Sequence, residues 1–196
     1  TMKKTLLLTL AACANIMLIF FACNDQKTET ASTGQLSQEE LIKKGEYLVN
    51  AIGCDDCHTP KNMGPNGPEL DFERRFSGFP ENGTLAKVDP ATIENWALFA
   101  PDLTAAVGPW GVSFAANISS DESGIGNWTE EQFFKAIREG KYKGMDDSRP
   151  LLPPMPWFAY KNLSNEDIRA IFAYLKSSKP VRNVVPAPKS IADLNQ

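Results

Sequence analysis

Two thiols and an imidazole fall within five consecutive positions, Cys54-Asp55-Asp56-Cys57-His58, and His58 is the only histidine in 196 residues. Thiols at this spacing can reach the two vinyl groups on one edge of a porphyrin, and each can add across a vinyl to form a thioether. The imidazole that follows is then carried beneath the ring, where a ring nitrogen ligates iron. The pattern predicts one haem c, covalent through Cys54 and Cys57, with His58 as the first axial ligand. Three other uses of the same residues compete with this one. A Cys54–Cys57 disulfide needs only an oxidising compartment. A thioredoxin-type redox pair belongs after a strand, in a βαβ setting. Structural zinc wants four ligands, and beyond the N-terminal stretch there are two cysteines and one histidine.

A second axial ligand must come from a residue type other than histidine. Met63, Met145 and Met155 follow the N-terminal stretch, and a His/Met pair raises the reduction potential relative to more basic ligation. Met155 lies in Leu151-Leu152-Pro153-Pro154-Met155-Pro156-Trp157, where prolines stiffen the backbone and leave few amides to satisfy. Met63 would have to pass around the ring edge within five residues of His58, and Met145 sits in a charged run. Filling core space is the other use of a methionine such as Met155.

Three helices announce their starts. Ser37-Gln38-Glu39-Glu40 is a capping box, and Leu41, Gly45, Leu48 and Ile52 follow at helical spacing, with Ile42 and Val49 widening the face. This helix is expected to run to about Gly53, directly before the cysteine pair. Thr129-Glu130-Glu131-Gln132 opens a second, with Phe133, Phe134 and Ile137 on its buried side and Gly140 as its stop. Ser164-Asn165-Glu166-Asp167 opens the third, in which Ile168, Ile171, Phe172 and Leu175 form an apolar stripe and Pro180 blocks continuation. From Thr59 to Asn117 the chain is rich in Gly and Pro without sustained period. A short helix around Ile93, Trp96 and Phe99 is expected there, with the remainder loop or a small hairpin. A loop of that length needs something to pack on, and a buried cofactor would serve.

The N-terminus has the layout of an export signal: Lys3 and Lys4, an apolar stretch from Leu6 to Ala22, then Cys23-Asn24-Asp25-Gln26. Ala22-Cys23 resembles the cleavage boundary of bacterial lipoproteins, with Leu10-Ala11-Ala12-Cys13 as a competing match and an uncleaved anchor as the alternative to both. The expected organisation is a lipoprotein-type signal peptide at 1–22, a flexible tether at 23–36, one folded domain at 37–182 and an extended tail at 183–196. The tether is almost devoid of apolar residues and would span roughly 20 Å. Charge excludes one class of partner. With 20 Lys and Arg against 24 Asp and Glu, no basic stripe for nucleic acid is present.

With the haem motif in place, two stretches resemble the class I c-type cytochromes, and most of all the cytochrome subunits of membrane-bound alcohol and sugar-acid dehydrogenases. One runs from Gly45-Glu46-Tyr47-Leu48 through Cys57-His58-Thr59-Pro60. The other runs from Phe114-Ala115-Ala116-Asn117-Ile118-Ser119 through Gly124-Ile125-Gly126-Asn127-Trp128-Thr129 and Met155-Pro156-Trp157 to Ala170-Ile171-Phe172-Ala173-Tyr174-Leu175. The resemblance implies thioethers at Cys54 and Cys57, with His58 as proximal and Met155 as distal ligand. It also implies an all-α fold whose N- and C-terminal helices cross at one haem edge, with Gly45 permitting close approach to Tyr174 and Leu175. A proline carbonyl often holds the proximal imidazole in that family, and Pro68 is the candidate here. Relatives often carry three haem motifs; this chain has one.

The function implied is that of a mono-haem electron carrier working by outer-sphere transfer, not an enzyme. Its partner would be a dehydrogenase or terminal oxidase, and its place the periplasmic side of a bacterial membrane, held by lipid on Cys23. A peroxidase or gas-binding haem protein with an open distal site is the rival. A structural lipoprotein with a Cys54–Cys57 disulfide is the third reading.

Overall fold

The computed structural model describes residues 36–195; the leader, Cys13, Cys23 and all of the expected tether except Leu36 lie outside them. The three capping boxes form as written. Ser37 caps α1 (Gln38–Ala51), Thr129 caps α4 (Glu130–Glu139) and Ser164 caps α6 (Asn165–Ser177), each side chain and its partner three residues on satisfying the other's backbone amide. Gly140 ends α4 in the left-handed region, at φ 65°. A side chain there would be strained, and a Cβ would lie 2.5 Å from the Trp157 indole.

The helices α1 and α6 form the main packing pair. Gly45 is buried, and a Cβ built on it would stand 2.7 Å from Tyr174 Cβ and inside the carbonyl oxygen of Ala170. The missing side chain therefore lets the two backbones touch. Around this contact Val49, Phe76, Ile125, Phe133, Ile168, Ile171 and Leu175 make the central core, and Leu41, Ala170 and Ala173 extend it. Lys44 on α1 bridges the start of α6, with Nζ 2.6 Å from Glu166 and 2.7 Å from Asp167.

Hydrogen bonds from Lys44 and Ser164 hold the Asp167 carboxyl below the usual carboxylate range. A depressed folded-state pKa gives stability that is complete above the unfolded value of about 3.9 and is lost as pH falls through the lower folded value. Because the pair is still partly exposed to water, Asp167→Asn should cost only ~0.5–1 kcal/mol at neutral pH. Denaturant titrations of variant and parent should draw together only as pH falls from ~3.9 through the lowered folded-state value; a difference that persists below that value would remove the carboxylate from the argument.

The expected all-α fold is not what forms. Besides six helices, the described residues contain two antiparallel sheets, both in the Gly- and Pro-rich stretch. A hairpin pairs β1 (Lys61–Gly64) with β2 (Gly67–Leu70), Met63 lying opposite Pro68. A three-stranded sheet has the order β3 (Leu98–Phe99), β4 (Ala105–Gly108), β5 (Gly111–Phe114). Only α3 (Pro90–Ile93), capped by Asp89, appears of the helix expected around Ile93, Trp96 and Phe99; Phe99 belongs to β3 and Trp96 to the irregular stretch before it. Ile93, Val107 and Val112 give this sheet a small core of its own, which Leu194 helps to cover. Two backbone hydrogen bonds join Val112 to Lys189 along the outer side of β5. Among the described residues no helix is long and apolar enough to cross a membrane.

Candidate haem site

Cys54-Asp55-Asp56-Cys57-His58 forms one short helix, α2 (Cys54–His58), entered from α1 through Gly53. The two thiols are not joined to each other. Burial, with help from Asp55 and Asp56, pushes the Cys54 thiol up to about 12, and burial also raises Cys57. A redox dithiol or a thiolate metal site needs the opposite shift. Among the described residues no group of three or more His, Cys, Asp or Glu is placed to hold a metal ion, which leaves the zinc reading without a ligand set.

His58 Nδ1 lies 2.7 Å from the backbone oxygen of Ala116. A carbonyl can only accept, so Nδ1 carries the proton and Nε2 keeps its lone pair. Packing around the ring holds the His58 pKa below the usual value, so the imidazole stays neutral. A neutral ring, fixed by its other nitrogen, is the form in which histidine ligates iron. The acceptor is Ala116 and not Pro68, which sits in the exposed hairpin. A backbone carbonyl leaves no trace in residue type, so no sequence signal singled out Ala116.

The helix carrying the thiols is held from below by a network that sequence reasoning missed. Asp55, buried between the cysteines, receives Arg75 Nε at 3.0 Å and Nη2 at 2.6 Å, and the Thr59 hydroxyl at 2.7 Å. Thr59 in turn accepts the amide of Phe76 at 3.0 Å. Arg75 also donates to Asn50 on α1 and Tyr174 on α6, and lies 4.4 Å over the Phe76 ring. One guanidinium thus ties α1, α2 and α6 together.

Of the three methionines, Met63 and Met145 are exposed, at 73% and 55%. Met155 is half-buried and lines a cavity of about 280 Å³ with Leu151, Pro153, Pro154, Trp157 and Phe158. Its segment is pinned at both ends. The Ser113 hydroxyl donates to the Pro153 oxygen at 2.6 Å, and Tyr160, at the end of α5 (Trp157–Tyr160), donates to Ile52 just ahead of the cysteine pair at 3.0 Å. Burial raises the Tyr160 pKa, with smaller contributions from Cys54, Cys57 and Asp56. Phe158 is largely exposed.

The cytochrome c family model matches residues 42–179. This chain belongs to the cytochrome c family. It is 30% identical to the cytochrome c subunit of a quinone-dependent alcohol dehydrogenase from Gluconobacter oxydans, across 91% of this chain and 28% of that protein. A fructose dehydrogenase cytochrome subunit from Gluconobacter japonicus is 29% identical over 92% of the chain and 30% of its own length. The gluconate 2-dehydrogenase cytochrome c subunit of Pantoea cypripedii is 30% identical over 70% of the chain and 23% of its length. The chain therefore spans less than a third of these relatives. The cytochrome c domain gives it the role of an electron carrier, and nothing in the relatives favours the peroxidase or gas-binding alternative.

Proposed function

We propose that the domain holds a single haem c through Cys54 and Cys57, with His58 and Met155 as axial ligands, and passes electrons to and from a membrane-associated dehydrogenase. The observation that carries this reading is the His58–Ala116 bond, which leaves one ring nitrogen with a free lone pair beside two protonated, unpaired thiols. When bound, the haem supplies a one-electron ferric/ferrous couple. The chain's own residues do the rest. Ala116 fixes the imidazole tautomer, and Arg75 and Thr59 hold Asp55 and so the helix bearing the thiols. The Met155 segment supplies a soft sulfur from an apolar wall that keeps water from the ring. With His58 and Met155 both held to the iron, the metal would offer no open position to a substrate and would exchange electrons by outer-sphere transfer.

A dehydrogenase partner is supported by the relatives being dehydrogenase cytochrome subunits. Lys3, Lys4, the apolar run to Ala22 and the Ala22-Cys23 boundary support export and a lipid tether on Cys23, on the periplasmic side where haem is attached to such motifs.

Matured in a bacterial host that attaches haem c, the protein should gain the mass of one haem per chain and give the pyridine haemochrome spectrum of two thioethers. The reduced protein should resist carbon monoxide, as a six-coordinate His/Met iron does. Unmodified thiols would overturn the haem assignment; rapid carbon monoxide binding would overturn the filled distal site.

A further inference from the structure

The three-stranded sheet touches both sides of the haem site through residues three positions apart. Ala116, just past β5, accepts from the His58 ring. Ser113, within β5, donates to Pro153, two residues before Met155. Ser113 is buried, at 7% exposure, and its hydroxyl has a defined direction. Trp110 Nε1 donates to its oxygen at 3.2 Å, so the hydroxyl proton must go elsewhere. Two carbonyls compete for it, Pro153 at 2.6 Å and Ala106 at 3.4 Å, and the shorter wins.

We propose that Ser113 is a positioning residue for the distal ligand, holding the Pro153 carbonyl so that the Met155 sulfur is presented to iron, while the same strand holds His58 through Ala116. The strand is a strap across the two axial segments. Its own position is fixed independently of the haem, by pairing with β4 and by the two backbone hydrogen bonds between Val112 and Lys189. Freed from Ser113, the Pro153 carbonyl turns to water and the Met155 loop samples positions in which the sulfur leaves the iron. The ligand is then easier to displace, although the fold is unchanged.

This rests on Met155 being the distal ligand, and the experiment separates the two claims. Ferric haem-loaded protein is titrated with imidazole, following loss of the long-wavelength methionine-to-iron charge-transfer band, in the parent, Ser113→Ala, Ser113→Thr and Met155→Ala. Ser113→Ala should keep the haemochrome spectrum and take imidazole roughly five- to tenfold more tightly, the change one neutral hydrogen bond supports. Ser113→Thr, which keeps the hydroxyl, should stay within about twofold of the parent on the same scale. Met155→Ala should lack the band from the outset. If Ser113→Ala titrates like the parent while Met155→Ala has lost the band, Ser113 does not position the ligand. A threonine variant that behaves like the alanine one would exclude that role equally. If Met155→Ala keeps the parent's band, the ligand assignment itself fails and takes this proposal with it.

Discussion

Gly45→Ala is expected to destabilise the haem-loaded protein by ~1–2 kcal/mol net, although alanine is the better helix former. Two effects oppose each other at this position. Helix propensity favours alanine by about 1 kcal/mol in a helix interior. Against it, the new methyl meets the Ala170 carbonyl oxygen and lies 2.7 Å from Tyr174 Cβ. Both are parts of a packed helix that cannot rotate out of the way. Overpacking of this kind costs ~1–3 kcal/mol and more where backbone must shift, so the contact outweighs propensity. Gly45→Val, with two further methyl groups against the same oxygen, should yield no folded holoprotein. Urea denaturation followed by the Soret band decides the matter. Parent-like or greater stability of the alanine variant would mean that α1 and α6 do not touch at Gly45.

The second large effect is expected at Arg75. Arg75→Met keeps an unbranched apolar side chain but removes the guanidinium that lies over Phe76, and it leaves the Asp55 carboxylate, whose side chain is only 11% exposed, with the Thr59 hydroxyl as its remaining side-chain donor. Removing one member of a buried ion pair costs ~3 kcal/mol, chiefly through the stranded charge. The pair's net worth is a different quantity, and a double-mutant cycle with Asp55→Asn measures it. The double variant should recover at least ~1 kcal/mol of the loss, because the charge that was stranded has gone. Arg75→Lys should not substitute, since an ammonium cannot make the forked contact to Asp55 while also reaching Asn50 and Tyr174. A coupling below ~0.5 kcal/mol would reduce the network to incidental surface contacts.

These two positions differ in how far the sequence announces them. Gly45 stands within a capped amphipathic helix, in a pattern shared with a known family, and its partner Tyr174 stands in a second stretch of the same kind. The family resemblance, and not a local rule, therefore reached this long-range contact. Arg75 has no such frame. Its partner lies 20 residues back, inside the haem motif, and an arginine beside a phenylalanine in a Gly- and Pro-rich stretch carries no sign of what it will meet.

A small hairpin was expected in the Gly- and Pro-rich stretch, but where the strands lie was hidden for a related reason. Every residue of β4, Ala105-Ala106-Val107-Gly108, is buried, so the alternation that marks a half-buried strand never develops. The hairpin β1–β2 has the opposite composition, Lys-Asn-Met-Gly against Gly-Pro-Glu-Leu, and is mostly exposed with no apolar face to count. Capping boxes, by contrast, close over four residues and need no distant partner, so helix starts were legible to the residue. The attachment motif is equally local. The groups that orient it, Ala116 through its backbone, Ser113 and Arg75, come from elsewhere in the chain, and their roles exist only once the fold has brought them there.

The pairing of Val112 with Lys189 also bears on assembly. An inserted sheet ordinarily brings a liability, because an unpaired outer strand is a template for strands of other molecules. Here the chain's own C-terminal segment lies along the outermost strand and takes its amide and carbonyl at Val112, while the strand at the opposite margin is only two residues long. The three-stranded sheet thus offers little for another polypeptide to extend.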